Sequence, residues 1–398
     1  MCSFLYRNKK VEMIYLICDP KTRKEIKKMK KIKIGFVGCG CISGIYLKNL
    51  TNMFKEVEII GVCDLIRERA EKAVEEYQIP KLYNDMYELF NDPDVDIVLN
   101  ITRPYEHYEV TKQALLNGKH VYSEKPLSPD LGEARELFAL AKEKNLMLGG
   151  APDTFMGAGI QTCRHLIDNG FIGTPIGGSA SFVSRGPENW HPDPEFVYQY
   201  GGGPMFDMGP YYITALINIL GAVDTVSGMA KISYPSRPIL SEKKYGTIMN
   251  VDVPTYVMGT MRFKSGAIAN IFTTFDVTAL HSGTCLEIYG SEGSILVPDP
   301  NRFDGEVILK RGRSSETVSM PRIFNYSENS RGLGLADMAK ALMTGRSFRA
   351  NSEQQLHVVE IMSAFYTASE NNSYVKIESS YERQAPMKTT ELIGILED

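Results

Sequence analysis

The chain has 398 residues and carries 44 Lys+Arg against 48 Asp+Glu, a formal net charge of −4. That length suits two or three domains, and a hydrophobic content of 43% builds a sizeable core and excludes disorder, collagen and coiled coil as whole-chain descriptions. No apolar run approaches the roughly 20 residues of a membrane helix, and no signal-peptide pattern opens the chain, so a cytoplasmic protein without a membrane partner is expected.

The charge is unevenly spread. Residues 1–28 hold eight basic and three acidic groups, so this stretch is +5 and the remaining 370 residues are −9. A basic arm can contact nucleic acid or a membrane surface. The preferred reading is a dispensable leader ahead of a start at Met29, because the globular pattern begins directly after it. The acidic body offers no case for nucleic acid. Seven cysteines (Cys2, Cys18, Cys39, Cys41, Cys63, Cys163, Cys285) lack the spacing of a zinc site or a disulfide framework and read as reduced structural thiols.

From residue 29 to 150 strands and helices alternate. Ile32–Val37 is a β-branched strand leading through a glycine turn into a helix that ends near Phe54. Val57–Cys63 is the next strand and Leu65–Gln78 a charged amphipathic helix. Val95–Ile101, His120–Tyr122 and Leu146–Leu148 are further strands, interleaved with helices at about Tyr105–Leu116 and Asp130–Lys144. This alternation means right-handed βαβ units and a parallel sheet. From 151 to 398 the texture changes. Helices at Gly157–Asn169 and Met205–Leu220 flank a Gly/Pro-rich loop, Gly186–Pro204. Alternating runs follow at Thr255–Phe263, Ala267–Val277, Thr284–Tyr289 and Glu306–Lys310, with short glycine turns between them. Helices at about Gly334–Met343 and Ser352–Glu370 close the chain. The expected fold is an α/β Rossmann domain with a parallel sheet, followed by an α+β domain with a large, mostly antiparallel open sheet for substrate binding and oligomerisation.

Two motifs carry chemistry. Gly38-x-Gly40 sits between a strand and a helix, where the first glycine permits the tight turn and the second lets backbone approach a pyrophosphate at the helix N-terminus. Cys41 and Ile42 complete that turn, and Ser43 stands at the third glycine position with Gly44 beside it. Asp64, 26 residues after Gly38 at the end of the second strand, can accept hydrogen bonds from ribose hydroxyls and repel a 2′-phosphate. The alternative for Asp64 is a helix cap. NAD is therefore the expected cofactor, and Arg67, able to pair with a 2′-phosphate, leaves NADP open. The second motif, Gly118-Lys119-His120-Val121-Tyr122-Ser123-Glu124-Lys125-Pro126, ends a strand at the carboxyl edge of the sheet. Pro126 biases Lys125 to extended backbone. An oxidised nicotinamide nearby would lower the Lys125 pKa and suit it to exchange a proton with a hydroxyl.

Taken together, Gly38-Cys39-Gly40, Asp64, Asn100-Ile101-Thr102 with His107, and Glu124-Lys125-Pro126 resemble the glucose–fructose oxidoreductase/inositol dehydrogenase (Gfo/Idh/MocA) family. Gly201-Gly202-Gly203-Pro204-Met205-Phe206-Asp207-Met208-Gly209 looks like that family's entry to its substrate helix. The resemblance spans roughly 30–380. It implies a nicotinamide cofactor held by Gly38, Gly40, Cys41, Ile42, Asp64, Thr102, His107, Glu124 and Lys125, carbohydrate or polyol substrates, and a homodimer or homotetramer built on the C-terminal sheet.

One departure is marked. Where family members place a histidine four residues after the aspartate matching Asp207, this chain has Tyr211, followed by Tyr212. A tyrosine titrates near 10 and is a poor base unless a cation such as Lys125 stabilises the phenolate. Lys125 is thus expected to transfer the proton, with Asp207 as substrate ligand or orienter and Tyr211 as relay or hydrogen-bond donor; aromatic packing is the alternative for both tyrosines. The loop Arg185-Gly186-Pro187-Glu188-Asn189-Trp190-His191-Pro192 holds the only tryptophan. Its mixture of a ring face with polar groups (Arg185, Trp190, His191) suits sugar recognition, and His191 is a candidate for the missing histidine; an exposed structural loop is the alternative. Alternating His191, Asp193 and Glu195 is not a metal-ligand spacing, so no metal is expected. Asp153 either faces the cleft or caps the next segment. The resulting expectation is an NAD(P)-dependent oxidoreductase of a secondary alcohol on a sugar, glycoside or cyclitol. A redox-cycling glycosidase and a non-catalytic nicotinamide-binding sensor are the competing readings.

Overall fold

The structure is a computed structural model that describes residues 31–279, 285–313 and 316–397; the basic leader lies outside the described residues. Six parallel strands form the first sheet: β1 (Ile32–Val37), β2 (Val57–Cys63), β3 (Lys81–Leu82), β4 (Ile97–Asn100), β5 (His120–Ser123) and β6 (Leu148–Gly150). Their spatial order is β3-β2-β1-β4-β5-β6. The order reverses between β1 and β4, and open α/β sheets bind ligands at the carboxyl ends of strands at such a switch point. Gly35 and Gly61 on β1 and β2 have no side chain because Leu89 and Tyr83 press onto those positions, within 2.5 and 2.2 Å of where a Cβ would stand.

Helices cover both faces: α1 (Ser43–Asn52), α2 (Arg67–Tyr77), α3 (Met86–Asn91), α4 (His107–Leu116) and α5 (Leu131–Glu143). Asp85 and Asp130 cap α3 and α5 by accepting the amides of Glu88 and Glu133. The short β3 and α3 were not expected from the sequence; two residues of strand and six of helix are too brief to show a periodicity.

The second sheet has nine strands. At its centre β7 (Pro175–Val183) runs parallel to β12 (Ile268–Thr274) and antiparallel to β13 (Cys285–Gly290), so the sheet is mixed though mostly antiparallel. Strand β7, PIGGSASFV, escaped the sequence reading because glycine and serine have poor strand propensity. They are there because Gly177 lies against the Ile268 carbonyl and Gly178 against the Glu287 carbonyl, leaving no room for larger side chains. Strand β8 (Val223–Lys231) also went unrecognised; it pairs with β11 (Tyr256–Phe263).

The expected helix Met205–Leu220 is two helices, α7 (Gly203–Asp207) and α8 (Gly209–Leu220). Pro210 has no N–H to bond the Phe206 carbonyl, so the ladder breaks and restarts. Helix α8 is buried on every side, all twelve residues, and packs between the nine-stranded sheet and α10 (Ser352–Asn371).

Backbone and side-chain bonds join the two parts of the chain on either side of residue 150. Helix α9 (Leu333–Thr344) and the C-terminal segment return to the first domain, where Lys55 N–H donates to Gly394 O and Leu396 N–H to Glu56 Oε1. Gly150 is bonded on both its amide and carbonyl by residues of the α9–α10 region, Ala350 and Gln355. Among the described residues no helix is long and apolar enough to cross a membrane.

Candidate active site

The glycine turn follows β1. Gly38 has φ +96°, and a Cβ there would stand 2.6 Å from the Ile101 carbonyl at the end of β4, so only glycine fits. Gly40 is different: nothing lies within 4 Å of its Cβ position. That open side, with Cys41 and Ile42 exposed beside it, admits a ligand against the backbone. Helix α1 has no side-chain cap and no acidic residue in its first turn. Its amide end is therefore free for an anion, as a dinucleotide pyrophosphate requires.

Asp64 closes the turn from β2. Its Oδ2 accepts the Cys39 N–H, and its Oδ1 accepts the Ile66 N–H at 2.7 Å. The carboxylate thus fastens the turn and heads the next helix segment at once. Arg67, the residue that kept NADP open, turns away to Glu71 and Asn84, at 2.9 and 3.0 Å. The turn, the uncapped helix and the acid at the end of β2 fit an adenine dinucleotide, with Gly38, Gly40, Cys41, Ile42 and Asp64 as the residues that would hold it.

Beyond β4, Asn100 Oδ1 accepts both the amide and the hydroxyl of Thr102. His107 was expected at the cofactor but is buried, 1% exposed. Its Nδ1 faces the Pro126 carbonyl at 2.6 Å and its Nε2 the Thr102 carbonyl at 3.1 Å. Burial lowers its pKa, against those two carbonyls, which favour the charged ring. His107 is a brace between the two strand ends that carry the site. Glu124 is likewise fixed. Its Oε1 accepts the Tyr46 hydroxyl at 2.7 Å and its Oε2 the Lys125 amide at 2.9 Å. The Lys125–Pro126 peptide is cis.

Lys125 points across the domain junction. Its Nζ donates to the Asp207 carbonyl at 2.6 Å and to Asp207 Oδ1 at 2.9 Å, and lies 5.3 Å from the centre of the Tyr211 ring. Burial works against its charge, but Asp207, Tyr211 and Glu124 outweigh it and hold the pKa above the ordinary lysine value. The lowered pKa expected from the sequence is thus not a property of the protein groups; it would have to come from a cationic ring alongside. The helix break places Asp207 at the end of α7 and Tyr211 in the first turn of α8, so the two stand on separate helices. They still converge on Lys125. Tyr211 is nearly buried, and burial raises its pKa while Lys125 and Arg331 pull it down.

The Arg185–Pro192 loop forms the outer wall. Trp190 is 68% exposed, and the Arg185 side chain is also exposed. His191 packs edge-on to Trp190 and Phe196, at 5.4 and 5.2 Å, and its Nδ1 accepts the Asp193 N–H at 3.0 Å. Burial lowers its pKa, while Asp207 lies close enough to favour its charged form. Asp193 and Glu195 are taken up by Lys243 and Lys244, and no group of three metal-type side chains occurs among the described residues.

A buried ion network anchors this wall. Arg237 pairs with Glu188 and, at 2.8 Å, with Asp276, and donates to the Arg185 and Phe275 carbonyls. Tyr198 hydroxyl donates to Glu188 Oε2 at 2.8 Å. Asp153, in contrast, does not line the cleft. It is buried, and its Oδ2 accepts the amides of Gly332 and Gly334 at 2.9 and 3.1 Å, capping α9. Burial pushes its pKa up to about 6.

Sequence reasoning missed Tyr46, which positions Glu124, and Arg331, whose charge pulls the Tyr211 pKa down. Arg331 precedes Gly332, whose φ is +101° just ahead of α9; a cation beside a glycine at a helix start was the available signal.

Residues 32–150 match the oxidoreductase family with an NAD-binding Rossmann fold, and residues 160–296 match the Gfo/Idh/MocA C-terminal domain. An uncharacterised oxidoreductase of Schizosaccharomyces pombe is 31% identical over 233 residues, 56% of this chain and 60% of that protein. Inositol 2-dehydrogenase of Salmonella typhimurium strain LT2 is 34% identical over 153 residues, 36% of this chain and 44% of that enzyme. The aligned stretch thus spans less than two thirds of either relative. A levoglucosan dehydrogenase, solved in complex with NADH and L-sorbose, has the same fold with a TM-score of 0.76 at 21% identity, covering 88% of this chain and 100% of that one. By its two matched domains and its Rossmann architecture, the chain belongs to the Gfo/Idh/MocA family of oxidoreductases.

Proposed function

We propose that the protein is an NAD-dependent oxidoreductase that interconverts a secondary alcohol and a ketone on a sugar, glycoside or cyclitol. The observation that carries this reading is the convergence of Lys125, Asp207 and Tyr211 at the carboxyl end of the parallel sheet, beside a glycine turn shaped for a dinucleotide. The named relatives point the same way, one acting on inositol and one fold neighbour binding L-sorbose.

A bound nicotinamide supplies hydride transfer; the chain's residues orient the substrate and handle its proton. Lys125 is the proton-transfer group, and its donors reach Asp207 and the space beside the Tyr211 ring. Asp207 accepts hydrogen bonds from the substrate and keeps Lys125 charged until a second cation arrives. Trp190, with most of its ring in solvent, offers an apolar face to a pyranose or cyclitol ring, and His191 and Arg185 offer polar contacts at its edge. NAD is preferred over NADP because Asp64 heads the ribose end while Arg67 is engaged elsewhere. We further propose a homodimer or homotetramer through the outer face of the nine-stranded sheet, where Met229, Met258 and Phe272 are cross-strand neighbours and Met229 is 78% exposed.

A panel of sugars, glycosides and cyclitols, each offered with NAD and with NADP and followed by nicotinamide absorbance, tests the reading. Turnover with NAD on a polyol supports it. Dinucleotide binding without turnover on any of them would favour a sensor.

A further inference from the structure

Tyr46 stands at the end of the first turn of α1, the helix whose open amide end follows the glycine turn. Its side chain is fully buried, and its hydroxyl donates to Glu124 Oε1 at 2.7 Å, across 78 residues of sequence. Glu124 is itself buried. Its other oxygen, Oε2, accepts the Lys125 amide at 2.9 Å, and its own amide donates to the Asn100 carbonyl at 2.8 Å. Among the described residues the carboxylate thus accepts one hydrogen bond from α1 and one from the backbone that carries the lysine.

A packing role alone does not account for Tyr46. Phenylalanine fills the same space without a polar atom, whereas a buried carboxylate is costly unless donors meet it. Burial and the Glu124 charge hold the Tyr46 phenol well above its ordinary pKa, so the proton stays on Tyr46 and is donated. A hydrogen bond to a charged acceptor is about twice as strong as a neutral one. The same helix is also tied to the turn, because the Ser43 hydroxyl donates to the Gly40 carbonyl at 2.6 Å. Helix α1 is therefore bonded at its first residue to the glycine turn, and at Tyr46 to the strand end that bears Lys125.

Lys125 is held from two sides. Asp207, from the second half of the chain, takes its Nζ, and Glu124 takes its amide. The bond at the tip alone would let the lysine follow Asp207; the bond at the root keeps it with the Rossmann domain. We infer that Tyr46 is a positioning residue: through Glu124 it fixes the backbone of Lys125 relative to the dinucleotide-binding helix, so that the proton-transfer group and the cofactor keep one spacing. This inference rests on the oxidoreductase reading above. Tyr46 has no exposed surface and touches neither cofactor nor substrate, yet misplacing a catalytic group by about 1 Å costs about a hundredfold in rate.

Two measurements on Tyr46→Phe, which keeps the ring and removes only the hydroxyl, test this. The first needs no turnover. Amide hydrogen exchange of the full-length protein, resolved residue by residue, should be about tenfold faster at Lys125, the worth of a hydrogen bond to a charged group. The Val121 amide on β5, bonded to the Met147 carbonyl at 3.0 Å, should keep its wild-type rate. An unchanged rate at Lys125, or equal acceleration at both amides, overturns the inference, the second because it means general loosening. The other measurement is steady-state kinetics on the best substrate. Tyr46→Phe should lower kcat by about tenfold to a hundredfold, with KM and NADH affinity nearly unchanged. An unchanged kcat, with or without a raised KM, would leave Tyr46 a structural residue and overturn the assignment. If the wild-type enzyme turns over no sugar or cyclitol at all, the oxidoreductase reading fails, while exchange at Lys125 still decides whether Tyr46 fixes that backbone.

Discussion

Replacing Lys125 by methionine keeps the length and apolar stem of the side chain and removes its charge and protons. In the structure the lysine Nζ makes two bonds, both to Asp207, at 2.6 and 2.9 Å. Asp207 has a side chain 39% exposed, so its freed carboxylate is rehydrated, and the loss of the pair should cost about 1 kcal/mol of stability or less. The kinetic effect is far larger. A positioned acid–base group contributes about 10²–10⁴ to the rate, about 3–5 kcal/mol of barrier. Lys125→Met should therefore unfold within a few degrees of wild type and bind NADH with similar affinity, because the Gly38–Ile42 turn does not touch Lys125. Its kcat should fall at least about a hundredfold. Thermal unfolding, NADH fluorescence titration and initial rates measure the three quantities. A variant that kept more than about a tenth of wild-type kcat with normal cofactor affinity would refute the role of Lys125 in proton transfer.

Asp64→Asn should weaken NAD by about tenfold or more, the worth of a hydrogen bond to a charged acceptor, and should raise the NADP-to-NAD affinity ratio; equal losses for both dinucleotides would count against the ribose assignment. Asp153→Asn should gain stability relative to wild type as pH rises. A carboxyl whose native pKa of about 6 exceeds its unfolded value of about 3.9 binds its proton more tightly when folded, so wild-type stability falls through that window. The gap, at most about 3 kcal/mol, is read by urea unfolding at pH values on either side of it, and a pH-independent gap would contradict the burial argument. Arg237→Met leaves Glu188 and Asp276 buried and unpaired, so it should cost about 3–5 kcal/mol and raise KM by loosening the Trp190 loop; unchanged unfolding and KM together would show that the network does not anchor that wall.

Much of the first domain was legible because its signals are local. A β-branched strand, a glycine turn and a helix follow one another in Ile32–Asn52, and Val57–Cys63 matched residue for residue. Strand β7 was not legible, since its glycines answer to neighbouring strands 90 and more residues further along the chain. At the site, Lys125, Asp207 and Tyr211 were readable as motif positions, but the helix break at Met208 that sets their geometry depends on Pro210. His107 and Asp153 illustrate the reverse. His107 was assigned to the cofactor by type and place, and Asp153 was left between the cleft and a cap, yet backbone groups of their own chain meet the polar atoms of both. Arg331 was overlooked for a different reason: it acts on Tyr211 from 120 residues away in sequence, and the glycine beside it at a helix start is a weak local mark.

The most direct test is the stoichiometry of a turnover on the best substrate from the panel, comparing NADH formed with substrate consumed and product identified. A dehydrogenase of a sugar or cyclitol alcohol should give one NADH and one ketone for each alcohol consumed. Release of free sugar from a glycoside with no net NADH would instead mean a redox-cycling glycosidase and would contradict net hydride transfer.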